Sequence, residues 1–144
     1  MADNPSMTMR IIIGKSLGFA IGLISFFSLP SFYPEASLTL RWGFLLWYTT
    51  MGLVVGLIGV ITWHPVLKIP MPWWVRAPLI GGWMNLVLVF FTYDMMVAMF
   101  AYTFGPGGLW GSPWWFALEG AIVGLVISYA TTRFGGEGKE SVDL

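Results

Sequence analysis

Apolar residues fill four long stretches of the chain, with short polar segments between them. The stretches cover roughly residues 11–29, 42–62, 79–103 and 113–132. A helix rises 1.5 Å per residue, so about twenty apolar residues are enough to cross a hydrocarbon core about 30 Å thick. The pattern therefore predicts an all-α integral membrane protein, with four transmembrane helices in a single membrane domain over residues 1–144.

Composition supports this prediction and removes several classes of function. Charged residues make up only 10% of the chain, well below the level of about 25% that is typical of soluble domains. Seven basic and seven acidic residues cancel, so no global field attracts nucleic acid, and we expect no nucleic-acid partner. The absence of cysteine removes thiolate metal sites, and the single histidine cannot supply a pair of haem ligands.

The sequence accordingly predicts no cofactor and no metal site. Met95 and Met99 lie one helical turn apart, which is also a spacing that Cu(I) ligands can use. We interpret the pair as adaptable packing residues, because methionine commonly fills irregular gaps in a core.

Basic residues are distributed unequally between the two sides of the predicted membrane domain. Six flank the spans on the side that holds both termini, and Arg41 alone lies on the other side. The positive-inside rule then places both termini in the cytoplasm, and we expect the protein in the cell (inner) membrane. The six are Arg10, Lys15, Lys68, Arg76, Arg133 and Lys139.

Two segments on this cytoplasmic side carry further expectations. Residues 68–76 are expected to lie along the membrane surface, with Lys68 and Arg76 at the lipid headgroups. Residues 135–144 are glycine-rich and charged, which predicts a flexible cytoplasmic tail.

The second half of the chain resembles the first half. Residues 42–57 align without a gap to residues 110–125, with seven identities in sixteen positions that include two tryptophan pairs. We interpret this as a tandem duplication of a two-helix unit, with repeat one at about 10–63, repeat two at about 74–133, and both copies inserted in the same direction. Weaker matches between the first and third spans are Gly18 with Gly82, Phe26 with Phe90 and Phe27 with Phe91.

Glycine recurs every fourth residue on three of the four spans. Residues four apart share a helix face, and glycine on that face lets two helix backbones approach closely in lipid. We expect these positions to pack helices within the bundle, with a homodimer or partner contact as the alternative. They are Gly14, Gly18, Gly22, Gly52, Gly56, Gly120 and Gly124. Pro78 is expected in the first turn of the third span, where its missing N–H is harmless.

Two carboxylates lie inside predicted spans, where polar groups are costly and usually functional. Asp94 and Glu119 fall at a similar depth near the outer side, and the repeat places Pro30 and Met51 at the corresponding positions of the first copy. The carboxylates are therefore not required by the two-helix unit itself. The predicted polar pocket consists of Asp94, Glu119, Arg41, Asn85, Tyr48 and Thr49.

Two interpretations of this pocket stay open. The carboxylates either share a proton or cation in a low dielectric, or are neutralised by Arg41 and by neighbouring hydroxyl groups and serve only packing. No arrangement for acyl transfer and no phosphate-binding glycine loop is present, so we predict no enzyme and no catalytic residue.

Two classes of function remain in question. The first is an accessory or structural subunit that uses glycine-mediated helix packing, with the lipid bilayer and a larger membrane complex or a homo-oligomer as partners. The alternative is a small oligomeric ion- or proton-coupled transporter or channel that uses an outer-leaflet acidic pair. A lipid carrier or lipid-modifying enzyme is less favoured.

Overall fold

The computed structural model describes residues 4–142, and this part of the chain folds into four long α-helices. Each helix is long and apolar enough to cross a membrane, so the prediction of four such helices in an all-α fold is confirmed. The helices are α1 (Met7–Phe32), α2 (Leu38–Ile58), α3 (Trp73–Phe104) and α4 (Trp115–Gly135). Two 3-10 turns cover Leu109–Gly111 and Lys139–Ser141.

The helix ends differ from the apolar stretches because local capping decides them. Ser6 and Ser37 each accept a hydrogen bond from a backbone N–H three residues later, so α1 and α2 begin before their apolar runs do. α3 begins at Trp73, immediately after Pro72. Pro78 is consequently the sixth residue of α3, and the expectation that it occupies the first turn is wrong.

α3 is a kinked helix of 32 residues, about 48 Å of helical rise and longer than a bilayer core requires. Thr92 has non-helical backbone angles, φ −122° and ψ 19°. Its hydroxyl donates to the carbonyl of Leu88 at 2.8 Å, a bond that commonly bends helices. Beyond the kink the helix reaches α1. The Thr103 hydroxyl donates to the carbonyl of Met99 at 2.9 Å and also lies 3.5 Å from the carbonyl oxygen of Phe32.

The four helices form two antiparallel hairpins whose backbones touch at glycine. In the first hairpin, a Cβ on Gly14 would overlap the carbonyl oxygen of Gly52. In the second, a Cβ on Gly124 would lie 2.5 Å from the carbonyl oxygen of Ala77. All seven glycines that the sequence assigns to helix packing lie against the other helix of their own hairpin. Close backbone approach of this kind gains dispersion contacts that larger side chains would prevent.

Buried apolar side chains fill the space between the hairpins. They come from all four helices, with Leu29 as the member from α1, and those without exposed surface are Met51, Val89, Met96 and Ile127. α1 also packs against α4, and the backbone N–H of Ser6 donates to the carbonyl of Gly135 at 2.9 Å. The core therefore fixes how one hairpin sits against the other.

We call the end at which α1 and α3 begin the basic end, because two arginines are buried there. Arg10 has no exposed surface, and its Nε donates to the carbonyl of Gly56 at 2.9 Å. Its other nitrogens donate to the carbonyl of Gly136 and to the hydroxyls of Thr131 and Thr132. The last carbonyls of a helix lack partners within the helix, so Arg10 satisfies the ends of both α2 and α4.

Arg76 is the second buried arginine of the basic end. It is 2% exposed, donates to the carbonyls of Ile61 and Met71 at 2.7 Å each, and pairs with Glu137 at 2.7 Å. The expectation that Arg76 meets lipid headgroups is therefore wrong, because backbone carbonyls and a carboxylate already surround it. Lys68 is exposed.

The residues that follow α4 lie against the basic end. The backbone N–H of Gly138 donates to the carbonyl of Gly59 at 2.9 Å, and Ser141 is buried. Residues 143 and 144 of the predicted tail lie outside the described residues, so the flexibility of residues 135–144 stays a prediction.

Adjacent glycines of α3 provide a matched test of the backbone contacts. A Cβ on Gly81 would overlap the carbonyl oxygen of Gly120, whereas a Cβ on Gly82 would meet the Cβ of Ala121 at an ordinary 3.4 Å. We expect Gly81→Ala to lower the free energy of unfolding by about 1–3 kcal/mol, as overpacking typically does, and Gly82→Ala to be neutral or slightly stabilising. Thermal unfolding of both variants in one detergent checks this, and equal losses would contradict the contact.

Candidate functional site

Glu119 lies one turn into α4 and joins three helices through hydrogen bonds. The Tyr48 hydroxyl of α2 lies 2.9 and 3.0 Å from its two carboxylate oxygens. The side-chain amide of Asn85, on α3, donates to Oε2 at 2.7 Å. The carboxylate is therefore held by a neutral hydroxyl and a neutral amide.

Asn85 is the centre of this arrangement and has no exposed surface. Its Nδ2 also donates to the carbonyl of Phe116 at 3.0 Å, and its Oδ1 accepts the indole N–H of Trp47 at 3.0 Å. A Cβ on Gly120 would lie 2.6 Å from the Cβ of Asn85, so glycine at 120 leaves the space that this side chain occupies. The residue next to Glu119 thus makes its hydrogen-bonding partner possible.

We call Trp47, Tyr48, Asn85 and Glu119 the polar cluster. No buried side-chain nitrogen or oxygen within residues 4–142 lacks a hydrogen-bond partner. Each interhelical hydrogen bond in a membrane protein contributes on average about 0.6 kcal/mol, but a buried polar group left unpaired costs about 1–3 kcal/mol. The cluster therefore specifies how α2, α3 and α4 are arranged more strongly than it adds stability.

A cavity of about 430 Å³ adjoins the polar cluster in the half of the bundle away from the basic end. It lies between α1, α2, the part of α3 beyond the kink, and the start of α4. Its walls are mostly apolar, and Tyr48 and Glu119 supply polar groups at the end that meets the cluster. Ile24 and Phe104 line the cavity and are more than half exposed, so the cavity is open to the surroundings of the bundle.

Glu119 has no cationic partner in the described part of the chain. Within residues 4–142 the only ion pair joins Arg76 to Glu137 at the basic end. Ionised carboxylates accept up to about four hydrogen bonds, and the donors that reach Glu119 are one hydroxyl and one amide N–H. The site can therefore accept a further donor or a cation that enters through the cavity.

The structure brings together only part of the predicted polar pocket. Tyr48, Asn85 and Glu119 meet in the polar cluster. Asp94 is exposed on α3 and lines neither the cluster nor the cavity, so the two carboxylates do not share a site.

The remaining two pocket residues bond within the first hairpin. Nε of Arg41 donates to the carbonyl of Phe26 at 2.7 Å, and its guanidinium lies 4.3 Å from the centre of the Phe26 ring. The hydroxyl of Thr49 donates to the carbonyl of Leu45 at 2.8 Å, within α2. Neither residue reaches Glu119.

Sequence analysis misses Trp47 and Arg10 as members of buried polar sites, although a signal for each exists. An indole N–H inside an apolar span needs an acceptor, which makes Trp47 a candidate partner for Asn85. Arg10 lies four residues before Gly14 and so shares the helix face of the glycine series that packs against α2.

Among residues 4–142, no three His, Cys, Asp or Glu side chains lie close enough together to hold a metal ion. Met99 lines the cavity, and Met95 packs against the core. No protein-family model matches the chain, and no curated protein or solved structure matches it either. Function must therefore be inferred from the polar cluster and the cavity.

Proposed function

We propose that the protein is integral to the cell membrane, with both termini and the basic end in the cytoplasm. Large apolar side chains cover the outside of the bundle, and Phe27, Phe90 and Phe91 are 71%, 70% and 83% exposed. Apolar surface on this scale is stable in lipid and aggregates in water. The excess of basic residues on the side of the termini supports the orientation.

We also propose that the two hairpins arose by tandem duplication. Gly52 and Gly120 align in the sequence, and they contact Gly14 and Gly81 respectively. Gly56 and Gly124 also align, and they lie against the backbone carbonyls of Arg10 and Ala77 respectively. These contacts pair Gly14 with Gly81. The alignment of the first and third spans that they support therefore differs from the alignment that pairs Gly18 with Gly82.

We infer that the protein acts as an accessory or structural subunit of a membrane complex and is not an enzyme. The observation that supports this most directly is that the polar side chains of the polar cluster bond to one another and hold α2, α3 and α4 together. Arg10 and Arg76 bond to both helix ends and loops at the basic end, which supports a closed bundle. Glycine contacts build a rigid unit, and its aromatic exterior is the surface available to a partner complex or a second copy.

A small ion- or proton-coupled transporter is the second candidate, because the cavity reaches the carboxylate of Glu119. In this case Glu119, rather than a pair with Asp94, would bind the coupling ion. The arginines at the basic end would have to separate from their carbonyl partners to open a path on that side.

The orientation is testable because the chain contains no cysteine, so single cysteines can be introduced without background labelling. Glu35 and Lys139 are both exposed, and they lie at opposite ends of the bundle. In intact cells we expect a membrane-impermeant maleimide to label Glu35→Cys. Lys139→Cys should be labelled only after permeabilisation. The reverse order of labelling would contradict the orientation.

The subunit proposal predicts a stable assembly. We expect native mass spectrometry after gentle extraction to find the 16.0 kDa chain in a stoichiometric complex with larger partners or with copies of itself. Glu119→Gln should leave the mass of that complex unchanged, because its hydrogen bonds lie inside one chain. A chain that is extracted only as a monomer would contradict the proposal.

The transporter candidate predicts a different result for the same variant. In proteoliposomes with an imposed proton gradient, we would expect the unmodified protein to give a proton flux. Glu119→Gln should lower this flux at least about tenfold, because the amide cannot bind a proton as the carboxylate of an ion pathway does. Asp94→Asn is the matched control, because Asp94 lies outside the cavity and should leave flux intact. Absence of proton flux in all three proteins would contradict the transporter candidate.

A further inference from the structure

We propose that the cavity beside Glu119 binds a lipophilic amine, that is, a small molecule with an apolar body and one ammonium group. The body would occupy the space between α1, α2, α3 and α4, and the ammonium group would contact the Glu119 carboxylate. This binding site goes beyond the subunit role, and it does not depend on whether that role is correct.

The size and walls of the cavity fit such a ligand. A volume of about 430 Å³ lies within the range of roughly 300–1,000 Å³ that is common for small-molecule sites. Phe44, Phe100 and Trp115 place aromatic rings along the walls. Aromatic faces favour both an apolar body and a nearby positive charge.

The carboxyl group at the end of the cavity favours a ligand with a cationic group. Glu119 receives hydrogen bonds from Tyr48 and Asn85, and both of these partners are neutral. Within residues 4–142 no Lys, Arg or His lies within ion-pair distance of its carboxylate. An ammonium group supplies three donors and a full positive charge, and charge-assisted bonds of this kind are about twice as strong as neutral ones. An anionic ligand would be repelled by the same carboxylate.

The position of the cavity opening, on the apolar outside of the bundle, also favours a ligand that arrives from an apolar environment. Ile24 and Phe104 line the cavity and remain exposed on the outside of the bundle. Besides Tyr48 and Glu119, the lining side chains carry the hydroxyls of Ser25, Ser28 and Thr103. They also include the indole N–H of Trp115, which already donates to the carbonyl of Leu109 at 2.8 Å. A molecule dissolved in the membrane can therefore enter with its apolar body and meet a single strong polar contact at the end.

A matched pair of probes tests the charge requirement. Radiolabelled 4-phenylbutylamine and the neutral 4-phenylbutanol have similar shapes and differ mainly in the terminal group. We expect the full-length protein in phosphatidylcholine nanodiscs to bind the amine saturably, with about one site per chain. The amine should bind at least about tenfold more tightly than the alcohol, as a charge-assisted bond implies. Equilibrium dialysis against empty nanodiscs corrects for partition into the lipid.

Two pairs of variants locate the site. Glu119→Gln should bring the affinity of the amine to within about twofold of that of the alcohol, whereas Asp94→Asn should keep the preference because Asp94 lies outside the cavity. Ser28→Trp should fill the cavity and weaken the binding of both probes at least about tenfold. Thr50→Trp, an exposed position on α2 outside the cavity, should not weaken either probe.

Several outcomes would overturn the proposal. Equal saturable binding of amine and alcohol to the unmodified protein would indicate an apolar pocket, such as a site for a lipid acyl chain. Binding that does not saturate would indicate partition only. A preference for the amine that survives Glu119→Gln would place the cation elsewhere. If Glu119→Gln does not fold, the probe preference of the unmodified protein and the effect of Ser28→Trp still decide the question.

Discussion

Polar groups enclosed in this apolar bundle are removed from water, so each of them depends on hydrogen-bonding partners within the chain. Asn85 meets the requirement completely, because its amide donates to Phe116 and Glu119 and accepts from Trp47. Arg10 meets it through four hydrogen bonds to groups at the ends of α2 and α4. These bonds lie at opposite halves of the bundle, and together they determine how the two hairpins are placed.

Glycine makes these polar contacts geometrically possible. At Gly120 a side chain would collide with Asn85, and at Gly59 a Cβ would overlap the guanidinium of Arg10. The absence of a side chain at these glycines therefore makes room for a polar contact as well as for close backbone packing. The part of α3 beyond the bend at Thr92 supplies Met99 and Phe100 to the lining of the cavity.

The number of the helices could be predicted from the sequence, because apolar runs of about twenty residues rarely form anything other than a long apolar helix. The composition of the polar cluster could be predicted only in part, since depth along a span does not say which face a residue occupies. Helical phase adds this information. At about 100° per residue, Asp94 lies nine residues and about 180° from Asn85, so the two point to opposite faces even before the bend is considered. The burial of Arg76 could not be found in this way, because Ile61, Met71 and Glu137 come from loops whose paths no periodicity predicts.

The two ends of the bundle differ in how completely their buried charged side chains are paired, and this difference makes Glu119 the strongest candidate for a functional residue. An arginine is a donor only, and unpaired carbonyls at helix ends are abundant, so Arg10 can be enclosed without any partner from outside. A carboxylate is an acceptor only, and free N–H donors are scarce inside a bundle whose backbone is already helical. At the position that aligns with Glu119, the first hairpin has Met51, which is completely buried and closes the core. The second hairpin instead has an acceptor that neutral donors satisfy only in part, beside a cavity wide enough to admit a further donor.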